Sequence, residues 1–176
     1  APAGAGPLHH LPRSMSHPLW ALLDNTVLAW GLAACGLAQL SKLFIELLVH
    51  RRWRPAVLIE TGGMPSSHSA LVSGTAAAIG FEQGFDAPLF ALAATIAFVV
   101  MYDASGVRRA AGRTAERVNS LSGVEALTPL KTTLGHSRVE VLVGSLMGPL
   151  IALCGEAWVG SPVMLAQRLG WISGVG

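Results

Sequence analysis

The sequence predicts an all-α membrane bundle, with about four main hydrophobic helices and one basic amphipathic helix. Three observations carry that prediction. Charged residues make up only 12% of the chain and hydrophobic ones 52%, whereas a soluble domain carries about 25% charge. The mean hydropathy is +0.53. Twenty glycines and many alanines suit helices that pack through small residues in lipid. The 176 residues make one domain by size. Several apolar runs fall short of the roughly 20 residues of a full span, a feature shared with soluble bundles. A formal charge of +2 is too small to point to nucleic acid, so the expected partner is membrane lipid. Cys35 and Cys154 lie inside apolar runs and read as small packed hydrophobes. No metal-ligand spacing is present, and neither a metal nor another cofactor is expected.

Residues 1–18, with Pro2, Pro7, Pro12 and Pro18, read as a poorly ordered arm. His9, His10 and His17 have no acidic or Cys partner nearby and are not read as a metal site. The membrane domain is expected over 19–155. Its first run, Trp20 to Val49, is nearly uncharged through Leu40. Gln39, Lys42, Glu46 and His50 then recur at helical steps on one face. Such a stripe faces a polar interior or forms a Lys42–Glu46 pair at the membrane surface, and both readings stand. The basic cluster His50 to Pro55, with Trp53, suits a membrane–water interface. Arg54 is its candidate phosphate contact.

The stretch from Glu60 to Ala70, E-T-G-G-M-P-S-S-H-S-A, is the most informative. Gly62 and Gly63 allow a tight turn. Pro65 at a helix start, with Ser66 or Ser67 as N-cap, launches an apolar helix that covers Ala70 to Phe81. Free N–H groups and the positive dipole end then meet at one spot, which suits phosphate. Gly63, Ser66 and Ser67 are the candidate phosphate-binding residues, and His68 is close enough to supply a proton. Taken alone, the motif reads equally as a capped turn with an incidental histidine.

Glu82 to Asp86 is a short acidic turn, followed by a third apolar run from Pro88 to Met101 that ends in Tyr102-Asp103. Arg109, Arg113 and Arg117, spaced by four, line one face of the next stretch. That face lies against anionic headgroups or turns one or two arginines inward to a phosphate. Asn119 to Leu134 reads as a loop with a short helix. Ser137 is a candidate N-cap for the last run, Val141 to Cys154, which puts His136 just ahead of a second helix N-terminus. Glu140 is four residues on, within reach of the imidazole, where a carboxylate orients the ring and makes its other nitrogen a better nucleophile. Residues 156–176, with Trp158 and Trp171, read as an interfacial tail.

Charge adds sidedness. The linkers after runs one and three hold Arg51, Arg52, Arg54, Arg108, Arg109, Arg113, Arg117 and Lys131, while the linker after run two holds Glu82 and Asp86. Four alternating spans put both basic linkers, and both histidine motifs, on the cytoplasmic or stromal face.

These residues resemble the type 2 phosphatidic acid phosphatase and vanadium haloperoxidase superfamily, and more closely its divergent branch of small bacterial and plastid membrane proteins. Pro65-Ser66-Ser67-His68 stands for the superfamily's Pro-Ser-Gly-His, and His136 with Glu140 for its final His and Asp. The divergent branch is also similar over Thr61 to Ala70, Tyr102 to Arg109, and Leu134 to Val141. The resemblance implies a helical membrane protein that acts on phosphate monoesters without a metal. His136 would attack phosphorus, Glu140 would orient it, and His68 would protonate the leaving alkoxide. Lys42 and Arg54-Pro55 approximate the first motif across a longer gap. The third motif's Ser-Arg is missing, since Leu130 stands at the Arg position, and Lys131, Arg108 and Arg109 are the candidates to replace its charge. Two functions follow from the resemblance. One is a phosphatase for a lipid phosphate or polyprenyl diphosphate. The other is a catalytically eroded fold that serves as a structural or lipid-binding subunit of a larger membrane complex.

Overall fold

The computed structural model describes residues 18–60, 62–121 and 128–171. The proposed N-terminal arm up to residue 17, Thr61, and part of the loop after Asn119 lie outside the described residues. Among the described residues the chain is all-helical: α1 (Pro18–Leu23), α2 (Thr26–Val49), a 3-10 turn (Pro55–Leu58), α3 (Ser67–Gln83), α4 (Pro88–Ser105), α5 (Val107–Asn119), α6 (Arg138–Trp158) and α7 (Pro162–Arg168).

The first apolar run is not one helix. Asn25 interrupts it, and its side-chain oxygen accepts from the Leu28 N–H at 2.8 Å. A short polar side chain that bonds the backbone in this way starts a new helix. The second helix also starts earlier than its apolar run implied. Ser66 is the N-cap, its side chain accepting from Ser69 N–H, and Pro65 stands one residue ahead of that cap, outside the helix. Ser137 caps α6 with a full capping box, in which Glu140 returns a bond to the cap's own N–H.

Helix α3 is the centre of the bundle, packed by α6, α2 and α4. Its buried residues are almost all small: Ser69, Ala70, Ser73, Gly74 and Ala76 to Ala78 among them. The facing stripes match, Gly31, Ala34 and Ala38 on α2 and Gly144, Gly148 and Ala152 on α6. A Cβ at Gly144 would meet the Ser66 carbonyl, and one at Gly148 would meet the Ala70 carbonyl. Backbone therefore approaches backbone along the α3–α6 contact, the way helices associate where lipid removes the hydrophobic drive. The large apolar side chains are outside: Phe44, Phe98, Leu142, Leu146 and Leu150 are exposed. Small inside and large outside is the pattern of a bundle solvated by hydrocarbon.

Among the described residues, three helices are long and apolar enough to cross a membrane: α2, α4 (continuing into α5) and α6. Helix α3, at 17 residues, is about 25 Å long, short of a hydrocarbon core of about 30 Å. The C-terminal ends of α2 and α4 meet the N-terminal ends of α3 and α6. Three long-range bonds tie them. Lys42 Nζ donates to the Gly62 carbonyl at 3.0 Å, and Ser66 N–H donates to the Glu140 carbonyl at 3.0 Å. His136 N–H donates to the Ala104 carbonyl at 3.0 Å. All the motif residues are thereby gathered at one end of the bundle.

Candidate active site

His136 occupies the residue before the α6 cap and is buried, at 7% exposure. Its backbone is held from two sides. The N–H is bonded to Ala104 on α4, and the preceding Gly135 has φ +81° with Arg108 and Arg109 backbone against its Cα. Any side chain at Gly135 would be strained in that conformation and would strike the start of α5.

His136 Nδ1 stands 3.1 Å from Glu140 Oε2, the same oxygen that accepts from Ser137 N–H at 2.9 Å. The acidic partner assigns the proton to Nδ1 and leaves the Nε2 lone pair available. Burial pushes the His136 imidazole below its ordinary pKa. The Glu140 hydrogen bond and charge oppose that, and the Lys42 and His68 charges add to it. A lowered pKa favours the neutral ring, the form that can act as a nucleophile.

A small cavity of about 60 Å³ lies beside this ring, lined by His136, His68, Arg108, Gly62, Val100 and Ala104, with Leu134 and Gly135. Both histidines and one guanidinium border it. A larger cavity of about 830 Å³ shares His136, Gly135, Leu134 and Gly62 with the small one and mixes apolar side chains, Ile45, Val49, Val57 and Met64, with charged ones. Lys42, Arg54, Gly63, Arg109 and Arg113 line it together with the carboxylates Glu46, Glu60, Glu116 and Glu140.

The candidate residues therefore divide. His136, His68 and Arg108 share the small cavity, while Glu140, Lys42, Arg54, Gly63 and Arg109 face the large one. Lys42 is buried at 4% exposure, so its stripe turns inward there, with Gln39 and Glu46 half-buried and His50 exposed at its end. Ser66 and Ser67 are buried but line neither cavity, and the Ser66 hydroxyl oxygen is engaged by Ser69 N–H and Ser69 Oγ–H. Lys131 is exposed and lines neither cavity. Two arginines are already paired, Arg108 Nε with Asp103 Oδ2 at 2.6 Å and Arg54 with Glu60 at 2.6 Å. Asp103, Val100 and Ala104 were not singled out as site residues. Asp103 and Ala104 do fall within the Tyr102–Arg109 stretch of the resemblance, while Val100 has only its four-residue step to Ala104, a signal that is visible only once α4 is known to face His68.

A helical membrane bundle with this histidine pair is a phosphatase-like membrane protein. The chain belongs to the Divergent PAP2 family, whose model matches residues 23–151. The "Uncharacterized membrane protein YuiD" of Bacillus subtilis (strain 168) is 38% identical to it over 149 residues, covering 75% of this chain and 94% of that protein. No solved structure matches.

Proposed function

We propose that this protein hydrolyses a lipid phosphate or polyprenyl diphosphate through a phosphohistidine on His136. One observation carries the reading. A buried imidazole with Nδ1 on a carboxylate borders a phosphate-sized cavity together with a second histidine and an arginine. In the first step His136 Nε2 bonds to phosphorus, the P–O bond to the lipid breaks, and protonated His68 gives its proton to the departing oxygen. In the second step His68, now neutral, takes a proton from water. The resulting hydroxide displaces His136 and inorganic phosphate leaves. Arg108, and Lys42 through its charge on the site, would offset the growing negative charge on the phosphoryl oxygens.

A second reading rests on the arginines. Arg54 and Arg108 are both held by carboxylates, and Leu130 stands where the third motif's arginine belongs. A fold with its phosphate clamp so committed would serve as a structural or lipid-binding subunit of a membrane assembly. Phosphate release from a panel of lipid phosphates and prenyl diphosphates, by purified wild type and by His136→Ala, separates the two. We expect release by wild type only. Equal release, or none from any lipid, would overturn the enzymatic reading in favour of the subunit.

A further inference from the structure

Along the α3–α4 contact, one helical turn beyond the small cavity, lies a separate apolar groove of about 270 Å³, lined by Leu71, Val72, Thr75 and Ile79 of α3 and by Leu92, Ala93 and Ile96 of α4, with Leu89 at its far end. The register is continuous. On α3, His68, Val72, Thr75 and Ile79 follow at three- and four-residue steps, and on antiparallel α4, Ala104, Val100, Ile96 and Ala93 do the same. From His68 to Ile79 the seam runs about 16 Å at 1.5 Å per residue. It is open on its outer side, where Leu89, Leu92 and Ile96 are exposed. Its far end stops at the polar residues Glu82 and Gln83, which share a separate cavity with Thr75, Ile79 and Leu89.

We propose that the α3–α4 seam is a docking groove for one hydrocarbon chain, the tail of the lipid whose phosphoryl group sits between His68 and His136. This rests on the phosphatase reading and adds where the substrate's body lies. Three arguments favour the seam over the larger cavity. The larger cavity has apolar residues on its wall but also four carboxylates and several cations, which hydrocarbon there would strip of water at high cost. The seam presents only aliphatic groups and one hydroxyl, and its mouth opens onto the lipid-facing side. The groove also starts one helical turn from His68, so a tail lying in it leaves from the side where the proposed proton donor stands, opposite the attacking His136. The volume, spread along the groove, admits one chain in cross-section, so a prenyl chain and a single acyl chain fit on equal terms. The larger cavity, with its charged groups, is left as the route for water and for inorganic phosphate.

The test uses the full chain in nanodiscs with a phosphatidic acid probe carrying a diazirine at mid-chain, in both wild type and His136→Ala, the latter to prevent turnover. Adducts should concentrate on the peptides of α3 and α4 that hold Val72, Ala93 and Ile96. They should fall about threefold or more with excess unlabelled phosphatidic acid or prenyl phosphate, competition by both showing a groove indifferent to chain type. Phosphatidylcholine should not compete. Ala93→Trp should reduce the adducts in the same way. It should lower turnover of a long-chain lipid phosphate about tenfold, while turnover of soluble phenyl phosphate stays within about twofold. Adducts spread evenly over the outer faces of α2 and α6, or indifferent to the competitors and to Ala93→Trp, would overturn the proposal. So would equal loss of lipid and phenyl phosphate turnover in Ala93→Trp. Seam-specific adducts without phosphate release from any substrate would sink the hydrolytic reading alone and leave the groove standing.

Discussion

A histidine that attacks phosphorus must hold its proton on one nitrogen and keep the other bare. His136 meets this through Glu140, whose Oε2 serves both the ring and the Ser137 N–H. One carboxylate thus caps α6 and sets the tautomer. Because burial leaves the His136 pKa below its ordinary value of about 6.5, the proposed enzyme should keep its nucleophile neutral down to mildly acidic pH. The acid limb of its rate profile should therefore lie below about pH 6.5. Glu140 raises the His136 pKa by its hydrogen bond and charge, so Glu140→Gln should move that limb to lower pH while reducing the maximal rate. Upward movement of the limb in pH–rate measurements would remove Glu140 from this role. His68→Ala should cost about 10²–10⁴-fold in turnover of an alkyl phosphate, the usual scale of a proton donor. The loss should shrink for a phenolic leaving group, which needs less help. An equal loss for both esters would make His68 a structural residue.

At the scale of elements, the contact that decides the geometry is α3 against α6. Gly144 and Gly148 let the Ser66 and Ala70 carbonyls sit on the α6 backbone, and the bond from Ser66 N–H to the Glu140 carbonyl fixes the register. The histidines, one on each of the two segments, are set by that register. Gly148→Leu should destabilise the bundle by about 1–3 kcal/mol through overpacking. Leu146→Ala, on the exposed face at 65% exposure, should change stability by about 0.5 kcal/mol or less. Thermal unfolding in detergent, followed by tryptophan fluorescence, reads both. Equal effects would mean that small residues are not what joins these helices. Helix α5 is placed by the same device, since Gly112 lies against the Leu134 and Thr132 carbonyls.

At the scale of the molecule, α2, α3, α4 and α6 form an up-and-down bundle, with the candidate site residues at one end. The basic linkers after α2 and α4 lie there and Glu82 and Asp86 at the other end, so the site should face the cytoplasmic or stromal side. Single cysteines at Arg52→Cys, Arg117→Cys or Gln83→Cys, in a background lacking Cys35 and Cys154, test this with a membrane-impermeant maleimide on intact cells. Gln83→Cys should label from outside, and the two basic-end cysteines only after permeabilisation. The reverse pattern would place the site on the outer face.

The helical class, the membrane solvent, the Ser137 cap and the pairing of His136 with Glu140 are local or compositional properties, and the sequence by itself determined them, whereas it left the α3 cap open between Ser66 and Ser67. Each depends on residues within about one helical turn, or on an average over the chain. The interruption at Asn25 and the position of Pro65 outside α3 were less legible, because a run of apolar residues hides a single capping side chain. Other features were decided only by tertiary structure. Lys42 turns inward to Gly62, twenty residues away in sequence; Ser66 is absorbed into its own cap; and Arg54 and Arg108 are engaged by Glu60 and Asp103. Long flexible side chains choose among several partners within reach, and only the packed backbone decides which partner is near. The meeting of His68 with His136 belongs with these. Two glycines and two carbonyls on neighbouring helices bring it about, and no spacing along the chain encodes the distance between them.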